Sequence, residues 1–319
     1  MIYQVSCFLL GLVLLAACKK PPSDCYKCND RAAKNFSDNV SGDSTCCIYG
    51  KIKPQIKSRL DEGVNETSGL IFAGGRMWTH NDSGGDNAIY AVDTSDGTIL
   101  QTVILKGATN VDWEDIAQSD AHLYVADIGN NQGNRKNLKI YRFPLTALES
   151  SIDTIRVNVE TISFSYADQT DFTPARKAQF RLRSPPFFSG PVIFVYQKLA
   201  RQPKQCIYPI AHPRNAAGRR TDSFDAGGLV TGADVSPSGK EVVLVGYKWS
   251  LGVFLWVLTS FSGSRFLSGN RKLIKLGNFS GLGQMEAIGY ADNEHLFFSS
   301  EKIPLLPARL YHLSAASIR

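Results

Sequence analysis

The sequence predicts an all-β fold, on the basis of three observations. Short stretches rich in Val, Tyr, Phe and Trp recur between Gly/Asp/Ser turns from about residue 60 onward. Apolar runs with a helical period are absent, so long helices are not expected. The strand-and-turn pattern also repeats as a whole unit of about 45 to 55 residues, which is typical of a β-propeller.

Four copies of this unit follow one plan: a small, apolar strand, a turn, a strand of large residues, a polar loop and a closing strand with an aromatic residue. They begin at GLIFAGGRMW, EDIAQSDAHLYV, GADVSPSGKEVVLV and EAIGYADNEHLFF. Together with the stretch between Leu138 and Arg220, they predict about six blades. A β-sandwich is the alternative, although it would not require the whole unit to repeat. The segment IKPQIKSRL, residues 52–60, is expected to close the ring with the last blade.

The first eighteen residues predict a lipoprotein signal peptide, residues 1–17, that is removed from the mature chain. The apolar run CFLLGLVLLAAC ends in Leu15-Ala16-Ala17-Cys18, which matches the bacterial lipobox. We therefore expect acyl chains such as palmitate on Cys18, holding the protein on the periplasmic face or the cell surface of a bacterial envelope. MIYQVS departs from the usual pattern because it carries no Lys or Arg. An ordinary secretory signal is the alternative.

Residues 18–50 predict a tether and a small cysteine-containing appendage that precedes the propeller of residues 51–319. The stretch is rich in Gly, Ser, Asp and Asn, and its cysteines are Cys25, Cys28, Cys46 and Cys47. In an oxidising compartment two disulfides are expected, and the sequence leaves their pairing open. A Cys₄ zinc site is the alternative, although adjacent Cys46-Cys47 lacks the usual CxxC spacing.

The stretch WTHNDSGGD, residues 78–86, is similar to the Gly-Asp-Ser-Gly-Gly around the nucleophile of trypsin-like proteases. Such an enzyme needs a His and an Asp on an upstream barrel and a Gly amide for the oxyanion hole. His80 is the only upstream histidine, and Asn81 stands where the first glycine would be. The stretch therefore predicts a tight turn between two strands instead.

Acidic and amide residues recur at equivalent places in the repeats, and they predict a metal site. In a propeller the innermost strands start around a central channel, so carboxylates repeated there would crowd together. Crowded oxygen ligands suit Ca²⁺. The candidate ligands are Glu66, Asp82, Glu114, Asp127, Asn131, Asp234, Glu286 and Glu301. Turn capping is the alternative, and we prefer it for Asp93, Asp96, Asp120 and Asp292. The five histidines show no zinc-ligand spacing.

Several of these segments resemble a family of extracytoplasmic propeller lipoproteins from Bacteroidetes-type bacteria, from about residue 60 to the C-terminus. The segments are ETSGLIF, MWTHNDSGGDNAIYAVD, GATNVDWEDIA, LYVADIGNNQGNRKNLKIYRF, GLVTGADVSPSGKEVVLVGY and MEAIGYADNEHLFFSSEK. The architecture is more distantly similar to calcium-dependent propeller hydrolases, including gluconolactonase, paraoxonase and propeller phytase. That similarity implies a Ca²⁺ in the channel, held by residues such as Glu66, Glu114, Asp127, Asn131 and Glu286. No catalytic residue of this chain is assigned from it.

The stretch from Phe172 to Thr221 departs from the family pattern, because it contains ten of the 35 basic residues and no Asp or Glu. It explains the formal net charge of +6. One interpretation is a basic insertion that binds an acidic partner. The other is that residues 179–218 are read out of frame between two compensating indels. Displacing the frame by one nucleotide can turn QFRLRSP into Asn-Phe-Asp-Cys-Glu-Ala, and the same displacement recovers family-like segments at two later places. Cys206 would then result from the displaced frame and would have no redox role.

Three function classes follow from these observations. The first is a calcium-dependent hydrolase of phosphoesters or lactones. The second is a non-catalytic ligand-binding or scaffold propeller, whose ligand would be a small molecule, a glycan or a phosphoester. The third is a polyanion binder that depends wholly on the basic segment. Nucleic acid is not expected as a partner, because acidic residues outnumber basic ones in the rest of the chain. We expect an extracytoplasmic propeller with a calcium site.

Overall fold

The computed structural model describes residues 28–38, 47–167, 169–174, 222–248 and 250–319, and it gives only strand backbones between residues 182 and 218. The predicted signal peptide, Cys18, Cys25 and Cys46 lie outside the described residues, as do the side chains of the segment with the hypothetical frame error. Strands are the main regular structure of the described chain, which has one short α-helix, α1, at Phe279–Leu282.

The strands of the described chain form five sheets. In chain order they are β1 Gln55–Arg59, β2 Thr67–Ala73, β3 Arg76–Asn81, β4 Ala88–Val92, β5 Ile99–Lys106, β6 Trp113–Gln118, β7 His122–Asp127, β8 Lys139–Pro144, β9 Thr154–Asn158, β10 Glu160–Tyr166, β11 Leu182–Arg183, β12 Val192–Ala200, β13 Gln202–Ile210, β14 Asn215–Gly218, β15 Asp222–Phe224, β16 Leu229–Val235, β17 Glu241–Tyr247, β18 Gly252–Thr259, β19 Asn270–Asn278, β20 Gln284–Tyr290, β21 His295–Glu301 and β22 Arg309–Ser314. The sheet orders are β2-β3-β4-β5-β9, β6-β7-β8-β10-β14, β11-β12-β13-β15, β16-β17-β18-β19 and β20-β21-β22-β1.

These sheets are the blades of a propeller, as predicted. Their first strands, β2, β6, β11, β16 and β20, contact one another in a closed ring. The N-terminal strand β1 pairs antiparallel with β22 and completes the last blade, so the expectation for residues 52–60 is confirmed. Neighbouring blades share buried clusters of aromatic and aliphatic side chains: Trp78 and Trp113 belong to one cluster, and Leu255 and Phe298 belong to another. The cores between the blades fix the positions of the inner strands.

The prediction of six blades is wrong. Four blades are described with their side chains, and a fifth sheet, β11-β12-β13-β15, lies between the β6 and β16 blades. Several strands of the stretch between Leu138 and Arg220 belong to blades that begin earlier in the chain. Strand β10 pairs with β8 as the fourth strand of the β6 blade, and β9 and β14 pair with β5 and β10 as fifth strands.

The appendage lies against the outer strand of the β16 blade. Cys28 and Cys47 form a disulfide with their Cα atoms 5.0 Å apart, so one disulfide of the predicted appendage is present and these two thiols do not form a zinc site. The Ile52 N–H donates to the Lys275 carbonyl at 3.0 Å, which places the chain leaving the appendage beside β19. No helix in the described part of the chain is both long enough and apolar enough to cross a membrane.

Candidate functional site

Each of the four inner strands described with side chains has a β-bulge near its start. The register shifts place one extra residue in each inner strand, and these residues are Ser68 in β2, Glu114 in β6, Thr231 in β16 and Glu286 in β20. A bulge re-aims the side chain of the extra residue. All four side chains are fully buried. The repeat therefore puts two hydroxyls and two carboxylates at equivalent positions around the ring.

The inner strands approach one another closely at these bulges. The Ser68 hydroxyl donates to the Glu114 carbonyl at 3.4 Å, and the Thr231 hydroxyl donates to the Met285 carbonyl at 2.5 Å. The residues after these two hydroxyls are glycines. A Cβ on Gly69 would lie 2.8 Å from the Ile116 nitrogen, and one on Gly232 would lie 2.9 Å from the Ile288 nitrogen. This close contact brings side chains from neighbouring blades into one site.

Three carboxylates from two neighbouring blades meet at this end of the propeller. Asp82 follows β3, Asp112 precedes β6, and Glu114 is the extra residue of the β6 bulge. Each offers a carboxylate oxygen, and these three oxygens lie within 4.8 Å of one another. Among the described residues, no other group of three or more His, Cys, Asp or Glu meets this condition. We call Asp82, Asp112 and Glu114 the acidic cluster.

Backbone contacts hold the loops that carry the acidic cluster. The Asp82 N–H donates to the Glu66 carbonyl at 2.8 Å, and the Asn110 side-chain amide donates to the Asp82 carbonyl at 2.6 Å. Asn110 thus joins the loop before β6 to the turn after β3. On the other side, Gly129 lies so close to Asp112 that a Cβ there would be 2.1 Å from the Asp112 carboxyl carbon. A side chain at this position would therefore displace the Asp112 carboxylate.

Asp127 borders the acidic cluster. Its side chain is 1 % exposed, and one carboxylate oxygen accepts from the Asp112 N–H at 3.1 Å and from the Arg135 guanidinium at 2.9 Å. The other carboxylate oxygen has no hydrogen-bond partner among the described residues. Burial raises the pKa of Asp127, although the positive charge of Arg135 opposes the shift.

The acidic cluster contains only two of the eight predicted ligands, Asp82 and Glu114. Asp112 is close to Glu114 in the sequence, but it is not one of the eight predicted ligands. Glu66 and Asn131 are exposed. Glu286 is buried at the equivalent bulge of β20. The structure does not bring these three side chains into the cluster.

The two remaining candidates are engaged elsewhere. Asp234 lies inside β16, where its two carboxylate oxygens accept from the Val235 N–H at 2.7 Å and the Tyr290 N–H at 2.6 Å. Burial raises the pKa of Asp234 well above its ordinary value, and the nearby charge of Asp115 adds to the shift. Glu301, at the end of β21, accepts from the Gln284 side chain at 2.8 Å.

A cavity of about 910 Å³ lies away from the acidic cluster, between the appendage and the β16 blade. Tyr49, Lys272 and Arg319 are among its lining residues. The Tyr49 hydroxyl donates to the Asp30 carboxylate at 2.7 Å, and the Lys272 ammonium lies 4.5 Å from the centre of the Tyr49 ring. This cavity could not be predicted from the sequence, because its walls come from distant parts of the chain.

No protein-family model and no curated protein matches the chain. Solved structures similar to it include the PQQ-bound aldose sugar dehydrogenase from Streptomyces coelicolor, with 12% identity, a TM-score of 0.45, and coverage of 82% of this chain and 97% of that one. A glucose dehydrogenase has 9% identity, a TM-score of 0.43 and coverage of 80% and 98%. TolB from Acinetobacter baumannii has 13% identity, a TM-score of 0.40 and coverage of 79% and 52%. No residue is assigned from these similarities, and the resemblance to propeller lipoproteins and calcium-dependent hydrolases stays a prediction.

Proposed function

We propose that the protein is a lipid-anchored β-propeller of the bacterial envelope that binds Ca²⁺ at the acidic cluster. The observation that carries the proposal is the meeting of Asp82, Asp112 and Glu114, whose oxygens lie within 4.8 Å of one another. Three carboxylates at this separation repel one another when ionised, and a bound cation removes that repulsion.

Calcium suits this site better than the other common metals. The group offers only carboxylate oxygens, and it contains none of the His or Cys ligands that zinc prefers. Ca²⁺ binds oxygens at about 2.4 Å, so oxygens as much as about 4.8 Å apart can share one ion. Two of the ligands, Asp82 and Asp112, come from loops, which fits the flexible geometry that Ca²⁺ tolerates.

Thermal unfolding in calcium and in chelator tests the proposed site. An ion that binds only the folded state stabilises it by about 2.7 kcal/mol when its free concentration is 100 times Kd. We expect the Tm to rise in Ca²⁺ and to fall in EGTA, and the Asp112→Asn/Glu114→Gln variant to lose this response. A wild-type Tm that is the same in both solutions contradicts the proposal.

Two variants serve as matched controls for the acidic cluster. Asp120 is an exposed carboxylate in the turn at the opposite end of the β6–β7 pair, so Asp120→Asn should keep the full response to calcium. Glu66→Gln should also keep it, because the Glu66 side chain is exposed and outside the cluster. A lost response in Glu66→Gln alone would favour the wider ligand set predicted from the sequence.

The second candidate function is calcium-dependent hydrolysis of a phosphoester or lactone. Asp127 favours it, because a buried carboxyl with a raised pKa beside a metal site can act as a general acid or base. We expect Asp127→Asn to abolish turnover of chromogenic phosphoester or lactone substrates while keeping the calcium-dependent Tm. Wild-type protein that turns over none of these substrates in Ca²⁺ would leave the protein as a non-catalytic binding propeller.

A further inference from the structure

The stretch from residue 48 to 59, IYGKIKPQIKSR, combines positive charge with exposed apolar side chains. Lys51, Lys53 and Lys57 are exposed, and Asp and Glu are absent from residues 45–60. Ile48 is 56% exposed and Ile56 is 57% exposed. Exposed isoleucines beside lysines give this segment an apolar part that could enter a membrane interface and cationic groups that could stay among the headgroups. We call residues 48–59 the basic rim.

The basic rim follows the outside of two neighbouring blades. At its start the Ile52 N–H donates to the Lys275 carbonyl of β19, the outer strand of the β16 blade. It then becomes β1, the outer strand of the last blade, which pairs with β22. The rim is therefore at the periphery of the propeller, whereas the acidic cluster lies beside the inner strands.

The disulfide places the end of the tether beside the basic rim. Cys28 and Cys47 have their Cα atoms 5.0 Å apart, and Ile48, the first residue of the rim, follows Cys47 directly. Residues 19–27 separate Cys28 from Cys18. Even a fully extended chain of this length spans only about 30 to 36 Å. A lipid on Cys18 would thus keep the rim close to the bilayer. This step rests on the lipid anchor of the proposed function.

We propose that the basic rim is a second membrane contact, which binds the headgroups of anionic phospholipids. The three lysine ammonium groups attract the lipid phosphates, and juxtamembrane basic residues add to one another in such binding. Ile48 and Ile56 enter the boundary between headgroups and acyl chains. Charge and apolar exposure thus act together, and the rim holds two blades against the membrane beside the point where the tether joins.

Fluorescence from a tryptophan placed in the rim tests this contact. The mature acylated protein, which begins at Cys18, is reconstituted in vesicles that contain phosphatidylglycerol and brominated phosphatidylcholine. We expect the tryptophan of Ile56→Trp to be quenched and blue-shifted. The matched control is Leu305→Trp, since Leu305 is 90% exposed in the loop between β21 and β22, outside the rim. Equal quenching of both variants, or no quenching of Ile56→Trp, would overturn the proposal.

Charge removal tests the headgroup chemistry in the Ile56→Trp background. Lys53→Gln/Lys57→Gln should lower the equilibrium constant for contact between the rim and vesicles with phosphatidylglycerol by about fivefold for each charge removed. The quenching of the tryptophan should fall accordingly. The control Lys106→Gln/Lys302→Gln removes the same charge from exposed lysines elsewhere and should leave the quenching unchanged. Quenching that is equal in vesicles with and without phosphatidylglycerol contradicts the headgroup contact.

Mass spectrometry of the mature chain separates a failure of the anchor from a failure of the rim. If Cys18 carries acyl chains but the Ile56→Trp signal is absent, the rim proposal is wrong and the anchor stands. If Cys18 carries none, the anchor is wrong, and binding of the unacylated protein to phosphatidylglycerol vesicles decides the rim alone. Loss of that binding in Lys53→Gln/Lys57→Gln supports the rim, and no binding by the wild type overturns it.

Discussion

At the scale of single residues, two glycines set how closely the inner strands approach. Gly69 follows the bulge residue of β2, and Gly232 follows that of β16. A Cβ at either position would meet a backbone nitrogen of the next inner strand, that of Ile116 or Ile288. Displacing backbone atoms in a closely packed ring costs free energy, so glycine is the residue that fits at these two positions.

Replacing one of these glycines should therefore destabilise the protein. We expect Gly69→Ala to lower the free energy of unfolding by about 1 to 3 kcal/mol, as overpacking does in other cores. Urea unfolding measures the change. Gly252→Ala is the control, because a Cβ at Gly252 meets nothing within 4 Å and should have little effect. If both variants lose the same stability, the close approach of the strands is not the cause.

The sequence predicted part of the candidate site, and single residues show why it missed the rest. Asp82 and Glu114 could be found because both lie at recognisable places in the repeats, one after a strand and the other at the start of a unit. Asp112 could not be distinguished, since its meeting with Asp82 depends on which loops of neighbouring blades touch. Asp234 fits the same pattern of acids, but it accepts from the backbone N–H groups of Val235 and Tyr290.

At the scale of elements, strands β1, β21 and β22 bring two histidines and a lysine together. The ring of His312 lies 5.3 Å from that of His295, whose side chain pairs with Asp292 at 2.9 Å. Burial lowers the pKa of His312, the charges of His295 and Lys57 lower it further, and Asp292 opposes them. The folded protein therefore accepts a proton on His312 at a lower pH than the unfolded chain does.

This arrangement predicts a pH dependence of stability. As the pH falls through the ordinary histidine pKa of about 6.5, the unfolded chain gains the proton first, so the free energy of unfolding should decrease. The decrease from this group should level off below the pKa of the folded state. His312→Gln should reduce the loss between pH 7.5 and 5.5, measured by urea unfolding. An identical loss in wild type and variant would contradict the role of His312.

The strands themselves were predictable, whereas their partners were not. β10 alternates buried and exposed residues, a pattern that indicates a strand with one face in the core. The pattern does not say that β10 joins β8 as the fourth strand of the β6 blade instead of starting a new blade. Long-range pairing of this kind decides the number of blades, and for that reason the expectation of six was wrong.

At the scale of the whole molecule, the ring depends on the sheet between the β6 and β16 blades. The inner strand of that sheet, β11, contacts β6 on one side and β16 on the other. Most of the sheet comes from the stretch that lacks acidic residues. The hypothesis of a displaced reading frame accounts for this composition, since a frame error would replace the repeat at one position in the ring.

Resequencing the gene tests this hypothesis directly. We expect a nucleotide to be added or removed near codon 179 and the change to be reversed near codon 218. The restored chain should contain Asn-Phe-Asp-Cys-Glu-Ala and a strand with a tryptophan, and it should lose most of the ten basic residues between Phe172 and Thr221. Because these residues account for the formal charge of +6, the corrected protein should be near neutral or acidic. Nucleotides that reproduce the present reading, with stop codons in the displaced frame, would refute the hypothesis. The segment would then be a genuine basic insertion, and salt-dependent binding to heparin would become the decisive measurement, because a cluster of Lys and Arg without acidic neighbours attracts polyanions.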